Sequence, residues 1–464
     1  MKFIKEKARR TDVIENVDVL VIGGGPGGIP AAVAAARRGC KTLLIERYGF
    51  MGGLATGGLM GPLFGYAPYG RKLLLGGLPV EIVRELQQLN GAPTEKDLDW
   101  TAICFDPESL KHVSDKLVVG SGAKLLLHSY AVDLAAKNNK VEAVIIESKS
   151  GRKAIKAKIF IDATGDGDIA FLGGCPFSKG RKADGRTQSM GTKFRIGGVR
   201  PMTKAEHDEG RRIANKAIDE KKIPAYHSFR GEISEQGITL RADEITPTVT
   251  RCAGDGTNIY DLTRAEVKIR RDTLAIVDFY RRNVRGYENC YLMETPAQMG
   301  VRETRQILGD YVLTGHDVLQ SRRFADRIAR GCWFLDIHCP LGLYCAQSNL
   351  CSKGCKIKPD CLMKRKYHDQ LYDTLWATDK GNETYYDIPY RCIVPQKFDN
   401  LLTSGRCISA DHGGMASARV IGTCFAIGEA AGLAAWMSLK TKKSPRKLEV
   451  ARLQAELKKN GVPL

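Results

Sequence analysis

Acidic residues are in short supply: 52 Asp and Glu face 71 Lys and Arg across 464 residues, a formal net charge of +19 at pH 7. Aromatic side chains are only 7% of the chain. Apart from Phe3, the basic groups at Lys2 to Arg10, Lys149 to Lys158, Lys353 to Lys366 and Lys440 to Lys447 lack the interleaved rings on which nucleobases stack. The positive balance admits nucleic acid or an anionic small molecule as partner without choosing between them, and solvated loops explain these groups more simply. The opening MKFIKEKARRTDVIENV has no apolar stretch of about 7 to 15 residues before a small-residue cleavage site. The expectation is therefore a cytoplasmic protein, with its 14 cysteines as thiols or clustered metal ligands rather than a disulfide framework. A C-x-x-C pair is absent, which excludes dithiol exchange of that type, and no internal repeat or low-complexity linker is found.

What is present is ample core material. With 43% hydrophobic residues the chain is globular, and its length suggests two or three domains on a prior of roughly 100 to 200 residues each. The run VDVLVI at Val17 to Ile22 reads as a strand buried on both faces. An Ala-rich helix to about Arg38 follows, stopped by Gly39, and then a second strand at Lys41 to Glu46. Helices are predicted at Pro79 to Leu89 and from Asp106 to Val119, the latter with Asp106 as N-cap and Pro107 in the first turn. A strand near Lys124 to Leu134, a hairpin-like pair at Val141 to Lys158 and a buried strand at Ile159 to Asp162 complete a parallel α/β layer with a β meander. Val420 to Leu439 imitates a membrane span of about 20 residues, but Glu429 near its middle and its Gly/Ala bulk favour a tightly packed buried helix.

Gly23 to Gly28, GGGPGG, contain G-x-G-x-x-G directly after the first strand, and Glu46 ends the second strand 18 residues after Gly28. Gly23 makes the tight turn, Gly25 lets backbone approach a pyrophosphate, and Gly28 lets helix pack on strand. The helix N-terminus supplies N–H donors, and Glu46 accepts from a ribose. Pro30 removes one N–H and is tolerated only within the first turn. Together these point to dinucleotide binding.

Five ordered blocks carry a resemblance: GGGPGG with Glu46, GGLATGG at Gly52 to Gly58, IDATGDGDIA at Ile161 to Ala170, GVRETRQILGDYVLT at Gly300 to Thr314, and the stretch from IPYR to GLAA near the C-terminus. They resemble the FAD-dependent oxidoreductases of the glutathione-reductase/fumarate-reductase type. That resemblance implies a discontinuous α/β, Rossmann-like FAD-binding domain at residues 1–190 and 387–464. An inserted α+β substrate or cap domain occupies 191–386. It places FAD against Gly23, Gly25, Pro26 and Gly28, against Glu46 and Arg47, and along the paired Gly52 and Gly53. It further implies contact at the backbone of Val132, at the turn Ala163, Thr164, Gly165 and Asp166, and at Gly405. Arg406 stands where many relatives have Asp; unable to accept a hydrogen bond, it is expected to reach the pyrophosphate. No second strand–G-x-G-x-x-G–helix unit appears, so no dedicated NAD(P)H domain is expected.

Segments returning from the insert to the FAD domain supply candidates for catalysis: His338, Tyr390, Arg391, His412 and Arg419. His338, of a residue type whose unperturbed pKa is about 6.5, suits a general acid or base, or is a structural histidine. Arg391 and Arg419 suit a carboxylate clamp, stabilisation of reduced flavin, or structural ion pairs. Arg302, Glu303 and Arg305 suit a salt-bridge network or direct contact with flavin or substrate.

Cys339, Cys345, Cys351, Cys355 and Cys361 place five thiols in 23 residues, within a Cys-rich loop at 332–361. Soft thiolates at such spacing suit an iron–sulfur cluster or zinc, although C-x5-C-x5-C-x3-C-x5-C matches no standard pattern and reduced thiols or a local disulfide remain alternatives. The leading expectation is an FAD-dependent dehydrogenase or reductase exchanging hydride or electrons between flavin N5 and a small anionic or polyhydroxylated molecule. Two others stand beside it: an electron-transfer subunit passing electrons through the cysteine loop to a partner protein, and a flavin-dependent RNA-modifying protein favoured by charge but by no nucleic-acid motif.

Overall fold

The computed structural model describes residues 4, 7–68, 73–225, 240–342 and 385–464. Strand β1 (Val13–Ile22) begins exposed and ends wholly buried, as its run of β-branched and Leu residues requires. Helix α1 (Gly28–Arg37) and strand β2 (Thr42–Ile45) complete the unit, with β2 parallel to β1. Pro30 falls within the first turn of α1, where its missing N–H breaks no helical bond, and the helix continues for seven residues beyond it. Helix α2 (Leu78–Gln88) follows, and then α3 (Pro107–Gly120), whose N-cap Asp106 accepts from Ser109 N at 2.9 Å.

Strands β3 (Lys124–Leu126), β4 (Tyr130–Lys137), β5 (Lys140–Ser148) and β6 (Gly151–Asp162) build the rest of the layer. The expected strand from Lys124 to Leu134 is broken in two, with His128 at φ 54° between β3 and β4. Conversely, the second strand of the hairpin and the buried strand expected to follow it at Ile159 are one continuous β6. Its first half pairs antiparallel with β5, and its last residues pair parallel with β7 (Leu401–Thr403). The seven-stranded sheet has the order β3-β2-β1-β6-β5-β4, with β7 beside β6, so chain from both ends of the sequence shares one layer. The fold is a Rossmann-like α/β layer with a β meander and an inserted α+β region.

That insert carries helices α4 (Lys204–Asp219) and α5 (Ile259–Asn283) and a small antiparallel pair, Arg195–Gly197 with Tyr291–Glu294, around Phe194, Ile196, Ile276 and Tyr280. Helix α6 (Ile421–Thr441) is the apolar segment that imitated a membrane span; nearly all of it is buried, packed on α1. Its small residues are dictated by this approach: a Cβ on Gly432 would stand 2.2 Å from the Ala31 carbonyl oxygen. Glu429 accepts from Leu78 N at 2.8 Å and from Asn460 Nδ2 at 2.9 Å, tying α6 to the start of α2 and to the C-terminal turn.

Candidate functional site

A cleft of about 920 Å³ runs from the end of β1 to the inserted region. This is the upper end of the roughly 300–1,000 Å³ usual for ligand sites. One end is built by the glycine turn. Gly23, Gly25, Pro26 and Gly27 line it at the N-terminus of α1, where the positive end of the helix dipole favours a phosphate. Gly28 stands behind the wall: a Cβ there would lie 1.8 Å from the Gly23 carbonyl oxygen, so helix and strand can meet only without a side chain. Gly53 also lines the cleft, and a Cβ on it would stand 2.9 Å from Gly25 Cα, so two bare backbones face each other along one strip. Gly52 donates its N–H to Gly24 O at 2.8 Å, holding this second glycine segment against the first.

Glu46 is buried and lines the same end. Its carboxylate accepts from Gly24 N at 2.7 Å and from Tyr48 N at 3.0 Å, which leaves further lone pairs for ribose hydroxyls. Arg47 lines the cleft and donates to Gln298 at 2.9 Å, linking the dinucleotide end to the insert. Ala163, Thr164, Gly165 and Asp166 form the opposite wall with Gly405 and Arg406. Arg406 is engaged by protein: its guanidinium donates to Asp166 at 2.7 Å and to Thr304 Oγ1 at 3.3 Å, the place where a direct reach to pyrophosphate was expected. Val132 sits at a bulge of β4 and is not among the lining residues, whereas Tyr130, two residues earlier, is. A bare-backbone strip, a helix N-terminus and a buried acceptor together fit an extended dinucleotide.

The other end of the cleft holds His338 and Arg419 from the sequence-based candidates. Arg419 donates to Asp336 at 2.8 Å, while its Nε makes no hydrogen bond among the described residues. His338 is hydrogen-bonded at both ring nitrogens, to Arg251 Nη2 at 3.0 Å through Nδ1 and to Asp336 at 3.2 Å through Nε2. A guanidinium can only donate, so Nδ1 accepts and Nε2 carries the proton toward the carboxylate. Burial, reinforced by the positive charge of Arg302, holds His338 well below its ordinary pKa. Burial alone would raise the Asp336 carboxyl, but His338, Arg419 and Arg302 outweigh it and hold the group far below the carboxylate range. Near neutral pH the pair is a neutral imidazole beside an ionised Asp336.

Arg302, already a candidate for flavin or substrate contact, completes this end with residues that sequence reasoning missed. A Cβ built on Gly191 would stand 3.0 Å from Arg251 Nη1 and 3.2 Å from Arg302 Nη1, so two guanidiniums close on one point. Phe64, Trp333 and Phe334 form an apolar wall, with Trp333 4.3 Å from Phe64 and 4.7 Å from Phe334 between ring centroids. Lys193, buried, lines the cleft and donates to the Gly61 carbonyl.

The remaining candidates are elsewhere. Tyr390 is buried in the core with its hydroxyl donating to Pro445 O at 2.9 Å. Arg391 is exposed and pairs with Asp326 at 2.9 Å. His412 does not line the cleft; its Nδ1 meets the buried Glu303 at 2.8 Å, and Glu303 also accepts from Gln188 N at 2.8 Å. Arg302 and Arg305 of the same block do line it. Cys339 is buried, whereas Cys345, Cys351, Cys355 and Cys361 lie outside the described residues. Among the described residues no three His, Cys, Asp or Glu side chains gather as metal ligands, so the structure gives no support to an iron–sulfur cluster or zinc.

Residues 18–457 match the family described as FAD dependent oxidoreductase. A thiamine thiazole synthase of Methanococcus vannielii is 35% identical over 167 residues, covering 33% of this chain and 58% of that protein. The thiamine thiazole synthase of Sulfolobus acidocaldarius is 30% identical over 162 residues, covering 33% of this chain and 56% of its own length. This chain thus spans a little over half the length of these curated relatives. Among solved structures, a geranylgeranyl bacteriochlorophyll reductase-like protein of Thermoplasma acidophilum superposes with a TM-score of 0.45 at 14% identity, covering 96% of this chain and 84% of that one. The family match takes in both the glycine turn and the strand that returns to the sheet near the C-terminus, and the chain belongs to the FAD dependent oxidoreductase family.

Proposed function

We propose that this FAD-dependent oxidoreductase acts on a small anionic molecule, a carboxylate bearing a hydroxyl or carbonyl group, held at the His338 end of the cleft. One observation carries the reading: Arg251 and Arg419 hydrogen-bond to a single pair, His338 and Asp336, and the charge of Arg302 acts on both. Three guanidiniums against one carboxylate leave a net positive cluster inside a part-apolar cleft, where an anion is worth more than in water. The Nε of Arg419, buried and with no hydrogen bond among the described residues, is a donor that the protein leaves unused. FAD, when bound along the glycine strip, supplies the electron chemistry by giving or accepting a hydride at N5. The chain's own contribution is to orient the carboxylate by the arginines, to present a fixed neutral imidazole, and to exclude water with Trp333 and Phe64.

Malonate, a small dianion with no hydroxyl to oxidise, tests the reading as a perturbation of the flavin absorbance of the FAD-loaded protein. Saturable binding is expected, weakened about ten- to a hundredfold in R302Q, the loss of one hydrogen bond to a charged group at roughly 1.5–3 kcal/mol. A spectrum unmoved by malonate, or equal affinity in R302Q, counts against the anionic site.

A further inference from the structure

We infer that Lys193 is the proton-accepting base of the cleft, taking the hydroxyl proton of the bound substrate. The inference deepens the proposed reading of the cleft and rests on it.

Lys193 is held from both sides. Thr192 before it donates its N–H to Thr250 Oγ1 at 3.1 Å, and Phe194 after it is fully buried in the core of the insert. The residue is 5% exposed, and its side chain reaches the cleft wall, where its amine donates to the Gly61 carbonyl. Among the described residues no carboxylate pairs with it. The ionisable groups that face it are Cys104 and Arg302. The Cys104 thiol is pushed up to about 11, chiefly by burial, so it is neutral near pH 7 and supplies no counter-charge. Burial first, and the Arg302 charge with it, bring the Lys193 amine down to about 7. A lone pair is therefore free on a large share of molecules at neutral pH.

The other polar groups of this end do not take the role. Both ring nitrogens of His338 are engaged, and Asp336 is a weak base committed to Arg419 and His338. In the proton step the substrate O–H bond breaks, its electron pair stays on oxygen, and an N–H bond forms on Lys193. Lys193 becomes an ammonium, and the oxygen anion is stabilised by that charge and by the nearby arginines. No electrons leave the substrate in this step.

Competitive labelling of the FAD-loaded protein with trace acetic anhydride, read by mass spectrometry across about pH 5 to 10, tests the free base without any variant. Lys193 should label with a midpoint near 7, against about 10.4 for a lysine of ordinary pKa. In R302Q the midpoint should move upward. A wild-type midpoint above about 9 overturns the inference. With lactate, malate and glycerate as reductants, K193M should bleach the flavin about 10²–10⁴-fold more slowly, lose the pH limb near 7, and recover in part with added methylamine. K193M with the wild-type rate and limb also overturns it. If none of the three acids reacts even with the wild type, the substrate reading fails and the labelling midpoint still decides Lys193.

Discussion

Glu429 allows the burial of a charge to be converted into a pH dependence. It lies 1% exposed in α6, and burial, against hydrogen bonds from Asn460 and Leu78, raises its carboxyl from the ordinary 4.5 to about 7. Below about pH 4.5 folded and unfolded chains both hold the proton, and the group's contribution is at its most favourable. As pH rises from there through 7, the unfolded chain ionises while the folded one resists, so stability is lost across that window. At about 1.4 kcal/mol for each pH unit between 4.5 and 7, the loss approaches about 3 kcal/mol above neutral pH. Glu429→Gln cannot ionise and removes this dependence. It keeps one acceptor for Leu78 N or Asn460, so near pH 5 it should match the wild type or fall slightly below. By pH 8 it should be the more stable chain by up to about 3 kcal/mol. Thermal unfolding of both proteins at saturating FAD, compared at the two pH values, is the assay. A wild-type-to-variant difference that is the same at pH 5 and pH 8, or that moves in the opposite direction, refutes the reasoning.

Other outcomes follow from the same geometry. Gly28→Ala drives a methyl into the Gly23 carbonyl at 1.8 Å, so the purified protein should lose bound FAD, checked by its flavin absorbance after gel filtration, while far-UV circular dichroism keeps most of the α/β signal. His412→Ala removes a hydrogen bond from the buried Glu303 carboxylate and should cost about 1–3 kcal/mol in denaturant stability without abolishing malonate binding. Arg391→Ala breaks an exposed pair with Asp326 and should change stability by no more than about 1 kcal/mol, leaving flavin spectra and rates as they were.

The parts of the fold legible in the sequence were the local ones. β1, α1 and β2 could be placed because strand, turn and helix are consecutive and each glycine has a backbone reason to be there. The continuity of β6 was hidden because Lys153, Lys156 and Lys158 interrupt its apolar pattern, marking the stretch where the strand leaves the covered sheet for the meander. At the site, Glu46 was readable from spacing and the turn at Thr164 from the family resemblance, but the cationic cluster was not. Arg251, Arg302, Asp336 and Arg419 come from four separate segments, and only the folded chain brings them to one pair. Lys193 carried no signal at all, since a lysine between Thr192 and Phe194, two residues before Arg195, reads as surface until its burial is seen. Tyr390 and Arg391 misled for the opposite reason: they belong to a family block, yet β-pairing of Tyr386–Pro389 with Arg327–Gly331 turns them away from the cleft.

The most direct measurement is anaerobic stopped-flow spectroscopy of the FAD-loaded protein with small hydroxy acids beside their neutral methyl esters. An anion held by Arg251, Arg302 and Arg419 requires at least one acid to bleach the flavin, its ester to do so at least about tenfold less efficiently, and R302Q to close the gap. Equal bleaching by acid and ester, with R302Q indistinguishable from the wild type, would contradict an anionic substrate in this cleft.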